Sequence, residues 1–220
     1  MIIRNLIDGP HVKNGQLKQK MAEAMRIPEQ PAEVTMRIIR EAGLMTTGPR
    51  GVNAPHMTYL DAARTLIAQI VEDNPGRRAE AYVKEIGSLP WGNPAGPFDG
   101  DSFTLQALHP AASLQTFEQA LAAMIEVFAT LRQDPRMIEA GTRKRGGDWQ
   151  KPLCTVEIWP SDHWARIYMG SVHYDFGNLE LAHTWAPEKD ERFRLGRQAR
   201  CFINQEVIAC LADGFAEGEA

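Results

Sequence analysis

Cations interleaved with small hydrogen-bond donors mark the front of this chain. Arg37 and Arg40 sit in VTMRIIREAG, a stretch with helical spacing, and Arg50 follows in TTGPRGVNAPH among Thr46, Thr47, Asn53 and His56. Lys18 and Lys20 precede them in GQLKQKM. Arginine grips phosphate and reads guanine edges, while hydroxyl, amide and imidazole groups donate to phosphate oxygens. The set is suited to double-stranded DNA. A plain alternative stands beside it. Glu33 and Arg37 are spaced as an i,i+4 pair on a solvated helix face, and Arg50 can be tied to a local carboxylate.

Other chemistry is thinner. His163, His173 and His183 recur at tenfold spacing near Asp162 and Asp175, and on adjacent strands they would offer a metal its ligands. The spacing matches no ligand motif, so surface or hydrogen-bonded histidine is expected, with no metal and no cofactor. Gly-x-Ser-x-Gly and His-Glu-x-x-His are absent from the sequence. The basic segment Gly141-Thr-Arg-Lys-Arg-Gly-Gly147 lacks the Gly-Lys-Ser/Thr ending of a phosphate loop and reads as a solvated connection. Cys154 and Cys201 fall at strand positions, where a free thiol behaves as a small hydrophobe. No catalytic residue is assigned, and the chain is not read as an enzyme.

The elements that must position these residues follow from periodicity. Leu17, Met21, Ala24 and Met25 predict a helix over 15–26. A second runs from Pro31 to a Gly43 stop, with Val34, Ile38 and Ala42 as its apolar stripe and Glu33, Met36, Arg37 and Arg40 opposite. Thr58 with Asp61 has the form of a capping box and opens a third helix, 58–73. A short helix spans 77–86. The Gly/Pro-rich stretch 88–112 reads as a linker. A helix over 113–133 carries a wide apolar face, from Leu114 to Leu131. Alternation then predicts strands at 153–159, 164–169 and 172–176, with a further alternating segment at 192–203 and a short amphipathic helix at 204–215. The fold class is α+β: a helical domain at 1–87, then a helix and antiparallel sheet at 113–220.

The order around the arginines resembles a winged helix-turn-helix DNA-binding domain of bacterial or prophage regulator type, over residues 15–70. In many such regulators the recognition helix ends in a Leu-x-x-x-Gly-Leu-Ile pattern, followed by a basic hairpin and Leu-Thr. Here the matching residues are Ile39-Arg-Glu-Ala-Gly43-Leu44-Met45, the loop from Thr46 to His56, and Met57-Thr58. The resemblance implies that the second helix enters the major groove and that Leu44 anchors the first wing strand. It implies that Gly48 and Gly51 turn the tip, presenting Arg50, and that Lys18 and Lys20 touch backbone phosphates.

Totals agree with such a division. Residues 1–50 hold eight Lys/Arg against five Asp/Glu, a net of +3, and residues 151–220 hold seven against eleven, a net of −4. A basic front and an acidic back fit a DNA-contacting part joined to one that avoids DNA. Three cysteines without a CxxC argue against a disulfide scaffold and for a reducing cytoplasm. No run approaches the length of a membrane span. The expectation is a cytoplasmic transcriptional regulator acting on double-stranded DNA. Homodimerisation is expected through the apolar face of helix 113–133, and a protein partner or small ligand at the C-terminal half, where the tryptophans gather. A phage structural, packaging or adaptor protein is the alternative, and a metal-dependent enzyme a more distant one.

Overall fold

The computed structural model describes residues 12–49, 51–70, 78–95, 104–131, 154–169, 172–177 and 201–217. Helix α1 (Asn14–Met25) buries Leu17, Met21 and Ala22. It closes with Arg26 in the left-handed region (φ 54), where Arg26 N–H donates to Glu23 O and Ile27 N–H to Ala22 O. Helix α2 (Glu29–Glu41) has Pro31 in its first turn, where the missing amide costs nothing. Gly43 (φ 75) ends it in the same way: Gly43 N–H donates to Arg40 O and Leu44 N–H to Ile39 O, so orphan carbonyls are satisfied.

Helix α3 (Tyr59–Ile70) starts at the predicted capping box, with Thr58 N–H donating to Asp61 Oδ2 at 2.7 Å and Asp61 N–H to Thr58 Oγ1 at 3.1 Å. Helix α4 (Ala79–Gly87) packs on α3. The stretch read as a linker contributes strand β1 (Trp91–Ala95) and the four-residue helix α5 (Leu105–Leu108). Helix α6 (Phe117–Thr130) follows, then β2 (Cys154–Trp159), β3 (Trp164–Met169), β4 (Val172–Gly177), β5 (Cys201–Asn204) and helix α7 (Gln205–Glu217).

The five strands form one antiparallel sheet in the order β1-β4-β3-β2-β5. One face is largely apolar, the Tyr174 hydroxyl being bonded to Leu105 N–H and Gln106 Oε1. Val156, Ile167, Tyr174 and Ile203 lie in one row across it, all buried, with Ile158, Ala165 and Phe176 in the next. Phe117 of α6 meets Phe176 with ring centroids 5.5 Å apart. Helix α6 is also packed by α3 and α7, and α7 by α1, so helices from both halves of the sequence share one apolar cluster. Each large side chain buried there contributes about 1.5–3 kcal/mol. The face of α6 that carried the dimer expectation is thus covered within the chain: Phe117, Leu121, Met124 and Ile125 are all fully buried. Among the described residues no helix is long and apolar enough to cross a membrane.

Candidate nucleic-acid interface

Helix α2 presents its arginines in a different phase from the one expected. The buried stripe is Ala32, Thr35, Met36 and Ile39, while Val34 and Ile38 are half-buried. Met36, predicted to face outward, is 1% exposed. Arg37 is exposed, and among the described residues it has no hydrogen-bond or ion-pair partner. Arg40 is half-buried and donates through Nη2 to Asn14 Oδ1 at the start of α1.

A groove of about 380 Å³ runs between α1 and α2, lined by Asn14, Lys18, Glu33, Arg37 and Arg40 among others. The first turn of α1 opens into it through Asn14 and Gly15 and carries no acidic residue. Lys18 Nζ lies 2.9 Å from Glu29 Oε2 and 3.6 Å from Glu33 Oε2. The hydrogen bond with Glu29, helped by the charges of both acids, holds the Lys18 ammonium above the ordinary lysine value. Lys20 does not join this face. It lies two residues on, roughly 200° round the helix, its stem packs against Gly214 of α7, and its Nζ is 3.6 Å from Glu23. Lys18 and Lys20, both expected to touch backbone phosphates, therefore lie on different sides of α1.

The loop from Leu44 to Thr58 is pinned at both ends. At its start Arg64 Nη1 donates to Leu44 O at 3.0 Å, and Thr46 N–H donates to Asp61 Oδ1 at 2.8 Å. Arg64 is itself held by Glu118 of α6 through two bonds of 2.9 and 2.8 Å, and these bonds keep its guanidinium above the usual arginine value despite burial. At the far end Met57 N–H donates to Val12 O at 2.7 Å, and Lys13 Nζ donates to Ala54 O and lies 3.4 Å from His56 Nε2.

Between these anchors the described residues form a 3-10 turn at Gly51–Asn53, and no strand pair. The implied wing hairpin, with Leu44 starting a strand, is therefore not built there. Gly51 has φ 82, as a tip glycine would, whereas Gly48 serves close approach: a Cβ on it would lie 3.0 Å from Pro55 Cδ. Thr47, Asn53 and His56 are exposed, and Thr46 is half-buried with its amide already bonded to Asp61. Arg50, His183 and the segment 141–147 lie outside the described residues.

Sequence reasoning missed Asn14 and Lys13, which orient Arg40 and the loop. Asp61 was visible only as a helix cap. Its second oxygen serves Thr46, fifteen residues earlier in sequence, and no local pattern announces that bond.

The two described histidines of the tenfold series, His163 and His173, do not gather. His163 is exposed in the β2–β3 turn at φ 50, beside Trp164, whose strand partner is Gly177. A Cβ on Gly177 would lie 2.3 Å from His163 O, so the turn requires glycine there. His173 pairs with Tyr168, four residues before Gly177 in β4, roughly 13 Å away at strand spacing. Among the described residues no three His, Cys, Asp or Glu side chains come together as a metal site would need.

The sheet's second face instead carries a polar row, Glu157, Arg166 and Asp175 in register on β2, β3 and β4. Arg166 Nε and Nη2 donate to Asp175 at 2.5 and 3.2 Å, and Nη1 donates to Tyr168 Oη at 3.0 Å. Its guanidinium also lies 4.7 Å from the Trp164 ring centre. Burial opposes the Arg166 charge, but the bonds to Asp175 and Tyr168 outweigh it and hold the group above the usual arginine value. The Cys154 thiol, on the apolar face, is pushed by burial up to about 12.

No protein-family model, curated protein or solved structure matches the chain.

Proposed function

We propose that this protein binds double-stranded DNA through the outer face of α2, in the role of a bacterial or prophage-type regulator. One observation carries the reading. Arg37 stands exposed at the middle of a well-terminated helix with no carboxylate holding it, beside a groove that already contains Arg40, Lys18 and the N-terminal turn of α1. Arg37 contacts the duplex, Arg40 and the α1 amides face phosphate, and the anchored loop with Thr47, Asn53 and His56 lies along the neighbouring backbone. The winged-helix resemblance enters as an order of helix, loop and helix, with a pinned irregular loop in place of the hairpin. A two-fold dimer is not part of the reading, because α6 no longer offers an apolar face for it.

The test is anisotropy of a labelled duplex titrated with wild type and Arg37→Ala at two salt concentrations. Wild-type binding should weaken steeply with salt, and Arg37→Ala should lower affinity about tenfold and flatten the salt dependence by about one charge. No binding at low salt, or a variant indistinguishable from wild type, overturns the reading. The mixed charge of the groove, where Glu29 and Glu33 accompany the cations, favours a second reading, a phage-type adaptor whose partner is another protein.

A further inference from the structure

The face assigned to DNA contains two carboxylates, where a surface built only to hold phosphate would have none. The Glu29 and Glu33 side chains are 54% and 69% exposed, yet both reach Lys18, whose side chain is 25% exposed. The one lysine of the groove is therefore neutralised within the chain. Glu33 and Arg37 stand one turn apart, and although that spacing permits an ion pair, Arg37 forms none. Glu33 thus keeps an acceptor, and Arg37 its donors, on the same open side of α2.

We infer that Glu33, supported by Glu29, is a specificity-determining residue of this face: the carboxylates repel phosphodiester and leave base edges as the favourable contacts, selecting G·C-rich duplex. The inference rests on the DNA-binding reading. Arginine donates two parallel bonds to guanine O6 and N7, where adenine places a donor at N6, and glutamate accepts from the cytosine amino group, so Arg37 sets the preference and Glu33 sharpens it. Four residues of helix rise about 6 Å, which places the two side chains one or two base-pair steps apart. The carboxylates also lower the sequence-independent term that otherwise dominates protein–DNA affinity, so what binding remains depends on the bases.

The experiment compares alternating G–C and alternating A–T duplexes of equal length, each labelled, against wild type, Glu33→Ala and Arg37→Ala. Wild type should prefer the G–C duplex about tenfold. Glu33→Ala should bind both duplexes more tightly and show less preference, and Arg37→Ala should bind both more weakly and also show less preference. If wild type binds DNA but Glu33→Ala gains no affinity, or keeps the same preference, the selective role of Glu33 is wrong while DNA binding stands. If wild type binds neither duplex at low salt, the DNA-binding reading fails and this inference with it. Glu33 is exposed on α2, so its truncation should leave the fold intact, and an unchanged thermal midpoint checks this.

Discussion

Arg37 and Arg166 sit among acids in two regions of the same chain and are used in opposite ways. Arg166 lies in a strand row with Asp175, which is 1% exposed, and three of its guanidinium nitrogens already donate within the protein. Aromatic rings of Trp164 and Tyr168 lie 4.7 and 5.5 Å from it. Arg37 has Glu33 one turn away and makes no bond to it. A buried charge must be fully paired, because desolvation costs more than a poor partner returns. An exposed charge loses little by standing alone. Chemistry-bearing residue types are therefore a weak guide by themselves: the arginine with the more elaborate surroundings is the structural one, and the solitary arginine is open to a ligand.

The sharpest way to break this contrast is to truncate one residue from each region. Asp175→Ala leaves the half-buried Arg166 guanidinium with only Tyr168 as acceptor among the described residues and should destabilise the fold by about 3 kcal/mol. Arg37→Ala should change stability by no more than about 0.5 kcal/mol while weakening DNA binding. Urea denaturation of the two variants measures both. Equal losses of stability would show that Arg37 has a structural partner after all and would remove the basis for assigning it to a ligand.

A middle case lies between the two regions. Asp61 is 2% exposed and accepts from the Thr46 and Thr58 amides and the Thr58 hydroxyl, joining the start of the 44–58 loop to the cap of α3. Asp61→Ala removes a helix cap and strands two amides, and should cost about 2 kcal/mol. Its distinguishing effect is local: amide exchange at residues 44–49 should accelerate more than in the sheet. Uniform acceleration across the protein would mean that Asp61 supports global stability and does not specifically position the loop.

The degree to which each element was legible in the sequence follows the same division between local and distant causes. Strands β2, β3 and β4 announced themselves because Val156 and Ile158, Ala165, Ile167 and Met169, and Tyr174 and Phe176 alternate strictly, and one face of the sheet is buried. The cap at Thr58 and the stop at Gly43 were readable because their chemistry is complete within a few residues. The phase of α2 was not. Periodicity sets the spacing of a stripe, but whether Val34 and Ile38 or Met36 and Ile39 turn inward is decided by the helices packed against it, α1, α3 and α4. Strand β1 was hidden because Gly92 and Pro94 are turn residues by composition. At a sheet edge, across a register irregularity between Trp91 and Pro94, a proline is tolerated. At the candidate site Arg37, its exposure and the separation of Lys18 from Lys20 on one helix were foreseeable, whereas the Arg40–Asn14 bond depends on how α1 sits against α2.

The smallest expected effect sharpens the comparison from the side of pH. His173 lies beside the Arg166–Asp175 pair, with Nε2 3.5 Å from Asp175 Oδ2. Burial lowers its pKa, the Arg166 charge lowers it further, and Asp175 opposes them only in part, so the folded value lies below the ordinary 6.5. The unfolded chain therefore takes up a proton near pH 6.5 that the folded chain still refuses. Stability contributed by the neutral imidazole is complete above that pH and is lost as the pH falls toward the folded value. One such group changes stability by at most about 1.4 kcal/mol per pH unit. His173→Gln should flatten the dependence of the urea midpoint between about pH 7 and 5, relative to wild type. A wild-type slope that survives His173→Gln would place the titrating group elsewhere and would separate this histidine from the buried row.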